Sequence, residues 1–183
     1  MPPVSSPTTV PDTSVPPPSS GGGSDLEALI PDEVDGITMT KTSLTGQQFL
    51  DLQSGGNEQV AQDFSDFLAG LGGSINDLSA VGSSGFGESD SVYVNAIRLA
   101  GADGAALRNG MVQQALDSIP VFNSGMTGAA TSMTLGGKNV TLVTATLGGS
   151  VYEEQYFYAY DDIVFVVYGG SEDVVAEALS LLP

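Results

Sequence analysis

The clearest alternation of apolar and polar positions lies in the last third of the chain. Thr141, Val143, Thr144 and Thr146 are β-branched and suit a pleated, half-buried surface. Tyr156, Tyr158 and Tyr160 recur at a spacing of two, so they share one face of a strand, while Phe157 and Ala159 point the other way. Ile163-Val164-Phe165-Val166-Val167 is continuously apolar, the pattern of a central strand covered on both faces. Gly136-Gly137-Lys138-Asn139, Gly148-Gly149-Ser150 and the tighter Asp161-Asp162 separate these runs, and the glycines supply the positive φ that hairpin loops require. The pattern predicts strands over 129–135, 139–147 and 152–168, the last folded back at Asp161-Asp162. The period then changes. Ser171 offers an N-cap hydroxyl, and Glu172 and Asp173 sit where the helix dipole favours acids. Val175, Ala178, Leu179 and Leu182 form the apolar stripe of a helix that ends at Pro183.

The first half is less regular. Asp25–Ile30 reads as a short helical turn before Pro31, because the residue preceding a proline avoids the helical region. A strand follows over 37–44, with Ile37, Met39, Lys41 and Ser43 on one face, and Gly46 breaks it before a helical turn over 47–52. Val60, Phe64, Phe67, Leu68 and Leu71 make one stripe of a helix over 58–71, closed by Gly72-Gly73. Strands over 78–85 and 91–99 lead to Asp103, which caps a helix over 104–119. Its broad apolar face carries Leu107, Met111, Val112, Ala115, Leu116 and Ile119, and Pro120 is expected to stop it before a loop over 121–128.

The element order β-α-β-β-α-β-β-β-β-α implies an α+β fold, a mostly antiparallel sheet with about three helices packed on one face. An internal echo is visible. Tyr93–Leu99, then Gly101-Ala102-Asp103, then a helix, matches Ile163–Tyr168, then Gly170-Ser171-Glu172, then a helix. A weaker copy is Ile37–Thr45 with Gly46. The echo suggests duplicated ββα units.

Residues 1–24 differ from the rest. They are rich in Pro, Ser, Thr and Gly, and such a segment buries too little apolar surface to offset ordering. They are expected to be a disordered tether ahead of a single domain over 25–183. With no basic or apolar run, the segment is not itself a signal peptide. It reads as the linker that follows a signal peptide or an upstream lipid anchor in an exported, cell-surface protein, the competing reading being a disordered tail on a cytosolic one.

Charge narrows the partners. The chain has 22 acids against four bases, a formal net charge of -18. Such a surface disfavours nucleic acid and anionic membranes. It suits solubility, a cationic partner, a divalent cation or a high-salt setting. No stretch predicts a transmembrane segment.

The pattern resembles secreted or lipoprotein-type domains of bacteria. The residues that carry the resemblance are Leu26-Glu27-Ala28-Leu29-Ile30-Pro31 with Asp35-Gly36-Ile37, then Gly136-Gly137-Lys138-Asn139-Val140-Thr141, then Ala178-Leu179-Ser180-Leu181-Leu182-Pro183. The resemblance spans residues 25–183 and implies export and this fold class, with no activity attached.

Catalytic motifs are scarce. The chain contains no Cys, His or Trp, which removes thiolate chemistry, His-based triads and the usual zinc ligands. A phosphate-binding loop would need Gly six residues before Lys138, where Ser132 stands, and Gly85-Phe86-Gly87 lacks the third glycine of a dinucleotide fingerprint. Three candidates survive. Asp32, Glu33 and Asp35, and more weakly Glu88 and Asp90, offer the oxygens that calcium wants, without EF-hand spacing. Glu153, Glu154, Asp161 and Asp162 lie around one hairpin and could supply the carboxylate pair of a hydrolase. Tyr156, Tyr158 and Tyr160 form an aromatic binding surface if no helix covers them, and core if one does. The expected function is therefore a non-enzymatic, exported domain without a cofactor that binds a protein or small molecule. The alternatives are a carrier holding an apolar ligand between sheet and helices, and a carboxylate-dependent hydrolase.

Overall fold

A computed structural model describes residues 22–183; the first 21 residues of the predicted tether lie outside it. Among the described residues are eight strands and five α-helices. In chain order they are α1 (Gly22–Glu27), β1 (Glu33–Val34), β2 (Ile37–Thr45), α2 (Gly46–Ser54), α3 (Glu58–Gly70), β3 (Leu78–Phe86), β4 (Ser91–Leu99), α4 (Gly104–Phe122), β5 (Met126–Leu135), β6 (Lys138–Leu147), β7 (Ser150–Tyr160), β8 (Ile163–Tyr168) and α5 (Glu172–Leu181). All strands join one sheet in the order β1-β2-β3-β4-β8-β7-β6-β5, every neighbouring pair antiparallel. The fold is α+β, as the element order implies.

The helices do not share one face. Side chains alternate along each strand, so the sheet has two apolar surfaces. On one, Val81, Val94, Tyr156, Phe165 and Val167 pack with Leu26 of α1 and with Val175, Ala178 and Leu179 of α5. On the other, Ala80, Ile97, Phe157, Val164 and Val166 pack with Phe49 of α2, Phe64 and Leu68 of α3, and Leu107 and Val112 of α4. The expectation of about three helices on one face is thus corrected to five on two. The residue-by-residue alternation of β8 between the two surfaces explains its unbroken apolar run.

Local signals account for most boundaries. Gly136-Gly137 and Gly148-Gly149 all take positive φ, and Asp161 closes the β7–β8 hairpin at φ 50°. Gly46 opens α2 instead of ending a segment, because Thr45 and Gln48 form a reciprocal capping box around it. Pro120 does not stop α4. It lies inside the last turns, and the Asn123 N–H donates to the Ile119 carbonyl beyond it. The helix therefore reaches Phe122, and the predicted loop shrinks to a turn in which Met126 N–H donates to Asn123 O at 2.9 Å.

The two strand–helix units of the sequence echo meet at the centre of the sheet, where β4 pairs with β8. They share strand, glycine, cap and helix, but α4 packs on one surface and α5 on the other. The repeat is one of local pattern and not of arrangement.

Candidate functional site

β8 is six residues long, while its neighbours β4 and β7 have nine and 11. At its end the chain turns through Gly169 (φ 80°) and Gly170 (φ 73°) into α5. β7 continues past this turn. The mismatch leaves an open groove of about 470 Å³, walled by Val151 to Glu154 of β7, floored by Tyr168, Gly169 and Gly170, and closed by Tyr156, Glu172 and Val175. The turn is fixed from outside: Asp90 of the β3–β4 loop accepts the Ser171 N–H at 3.1 Å.

Three carboxylates and three phenols line this groove. Glu153 and Glu154 are sequence neighbours, so they point to opposite faces of β7 and reach the groove from both sides. Tyr152 is 68% exposed and Val151 is exposed beside it. Tyr156 is 4% exposed, and its hydroxyl donates to Glu154 at 3.3 Å. Burial, reinforced by the Glu154 charge and that hydrogen bond, pushes its phenol up to about 12. Burial also raises the Tyr168 phenol; the neighbouring Tyr93 and Glu153 add to the rise, and a hydrogen bond with Asn95 opposes it. Both rings are therefore neutral donors and apolar faces at physiological pH, beside a negative set of carboxylates.

An aromatic row continues from the groove across the other surface of the sheet. Tyr168 stacks on Tyr93 with centroids 4.9 Å apart and planes 7° apart, and Phe86 meets Tyr93 edge-on at 5.8 Å. Phe86 is exposed.

No basic residue lines the groove, and the four bases are engaged elsewhere. Lys41 Nζ donates to the carbonyls of Glu27 and Ile30 and to Asp32 at 2.6 Å, fixing α1 over the outer side of β2. Arg98 pairs with Asp162 at 3.3 Å. Lys138 and the Tyr158 hydroxyl both donate to the Pro183 carbonyl, at 2.8 and 2.7 Å. Arg108 lies on α4, beside a second hollow of about 290 Å³ with Ser132, Thr134, Asn139 and Thr141.

The residues singled out from the sequence are distributed differently. Tyr156, Tyr158 and Tyr160 do share a face, but they do not form an open patch. α5 covers Tyr156, Tyr158 stacks on Phe165 while holding Pro183, and only Tyr160 is exposed. Glu153 and Glu154 stand at one end of β7 and Asp161 and Asp162 at the other, roughly 25 Å away at the usual strand rise. Those four carboxylates cannot act as one pair. Asp32 is taken by Lys41, and the backbone N–H of Asp35 donates to Glu177, two contacts that hold the β1 turn. Among the described residues no three acidic, His or Cys side chains gather as a metal would require. Glu88 is an exposed loop residue, and Asp90 is the latch on α5. Both hollows are open grooves with polar and apolar walls. The sequence reading missed Tyr152, Tyr168 and Glu172 as groove residues. The available signal was length: a short apolar strand followed by Gly169-Gly170 beside a much longer partner leaves space at its end.

Comparison with protein-family models, with curated proteins and with solved structures finds no match for the chain. No helix among the described residues is long and apolar enough to cross a membrane.

Proposed function

We propose that the protein is a non-enzymatic binding domain, exported and held by its N-terminal segment at the cell surface, whose groove takes a cationic group of a protein partner. The observation that carries this reading is the wall of the groove. Glu153, Glu154 and Glu172 line it with the exposed Tyr152 and with Tyr156 and Tyr168, and no basic residue is among them. Aromatic faces attract an ammonium or guanidinium through the ring quadrupole, and carboxylates neutralise it. The net charge of -18 adds a long-range field that accelerates encounter with a basic segment. The Pro-, Ser- and Gly-rich composition of residues 1–24 supports a tether, and the resemblance to secreted and lipoprotein-type domains supports export.

The test is a titration with an oligolysine peptide and its fully acetylated counterpart, followed by tyrosine fluorescence and by calorimetry. The charged peptide is expected to bind and the acetylated one not to. Replacing Glu153, Glu154 and Glu172 together by Gln is expected to weaken binding at least tenfold at physiological salt. Equal binding to the triple variant assigns the affinity to general acidity and overturns the groove; no binding of the charged peptide overturns the cationic partner.

A further inference from the structure

The two edges of the sheet are built differently. At one, β1 is two residues long, and Lys41 and Ser43 of β2 bond to the α1 segment and its following turn, so helix, charge and brevity all blunt the edge. At the other, β5 runs ten residues, about 33 Å at the usual strand rise. Its pairing with β6 is unbroken from Met126 to Leu135, so no bulge twists it away. It has no proline and no charged residue, and Thr127 to Ser132 are exposed without interruption. Along its outer side half the backbone donors and acceptors have no strand to meet.

The charge distribution says what fits there. No acid occurs between Asp117 and Glu153, a stretch that contains all of β5 and β6 and whose one charge is Lys138. All 22 acids lie outside it. Two copies of a chain at -18 repel wherever their acidic surfaces meet, so a self-contact belongs on the acid-free region. β5 is such a region and is also an unguarded edge. Antiparallel pairing of β5 with itself is a two-fold arrangement, in which one patch serves both copies. The residues of β5 are Thr, Ser, Ala, Gly, Met and one terminal Leu, with no charged pair in conflict.

We propose that β5 pairs antiparallel with β5 of a second copy, joining two eight-stranded sheets into one sixteen-stranded sheet. The arrangement leaves both acidic grooves free, since the groove is built from β7, β8 and α5.

Sedimentation velocity of the full chain over a wide protein concentration range, at low and high salt, tests it, together with hydrogen exchange of the β5 amides. The mass is expected to rise toward twice the monomer with concentration, and more readily at high salt, because salt screens the repulsion between copies. Alternate β5 amides are expected to exchange more slowly in the concentrated sample. Thr131→Glu places acids across the two-fold and is expected to yield monomer, while Thr40→Glu, an exposed strand position at the far edge, leaves the dimer intact. A monomer at every concentration and salt overturns the proposal. So does a dimer whose β5 amides exchange as in the monomer, or one that persists in a folded Thr131→Glu variant.

Discussion

β4–α4 and β8–α5 begin alike and end on opposite sides of the sheet. Leu99 and Tyr168, the last residues of the two strands, face the same surface. Between β4 and α4 lie four residues with one left-handed glycine, Gly101; between β8 and α5 lie three residues with two, Gly169 and Gly170. A connector one residue shorter, with a second left-handed glycine, carries the chain back over the other surface. Side-chain alternation fixes which surface a strand residue meets, and the connector decides which surface its helix covers. One pattern used twice therefore coats a sheet on both sides, and the shorter connector turns away where β7 runs on past β8.

If the two layers are equivalent, truncating either should cost similarly. Leu107→Ala in α4 and Leu179→Ala in α5 each remove a fully buried side chain. Each is expected to lower stability by about 2–5 kcal/mol. Urea denaturation should give one cooperative transition for both variants; a separate early transition for one would show that its layer melts independently.

The glycines sharpen the contrast. A Cβ at Gly101 has open space, whereas one at Gly170 meets the Ser91 carbonyl at 2.9 Å. Gly101→Ala is expected to cost roughly 1 kcal/mol of backbone strain, and Gly170→Ala clearly more. Thermal melts of the pair, ranked the other way, would overturn the closer packing of the second connector.

Alkaline pH should act through the α5 side. The folded protein holds the Tyr156 phenol at about 12 against an ordinary value of 10.0, so folding favours its protonated form. That contribution is complete below pH 10 and is lost as pH rises through 12. Denaturation followed across this window should show a loss of stability that Tyr156→Phe reduces.

The smallest difference lies in the caps. The Asp103 carboxylate accepts the Ala106 N–H at 2.9 Å, while the Ser171 side chain makes no capping bond of its own. Asp103→Ala is expected to cost about 1 kcal/mol and Ser171→Ala less than about half of that.

Much of this arrangement is legible in the sequence, though unevenly. The hairpins from Ala129 to Tyr168 follow from alternation punctuated by two glycine pairs and Asp161-Asp162, since these signals are local; the start of β5 at Met126, inside the expected loop, does not. The run Ile163–Val167 already says that its strand is covered on both faces, which sits badly with helices on one face only; the element order alone does not reveal it. The spacing of Tyr156, Tyr158 and Tyr160 places them together but is silent on α5, which covers Tyr156, and on Phe165, against which Tyr158 stacks. The groove was illegible for a similar reason. Tyr152, Tyr168 and Glu172 belong to three elements, and only the unequal lengths of β7 and β8 bring them to one notch.

The placement of β4 beside β8 also governs when the protein can fold. Their partners lie 65 or more residues apart in sequence, and β5, β6 and β7 intervene. During synthesis β4 waits for β8, its backbone donors and acceptors on that side unpaired until then. Loop closure over such a distance slows the final step. A release or truncation before Ile163 is expected to leave an aggregation-prone half-sheet, because the central seam closes only once β8 has emerged.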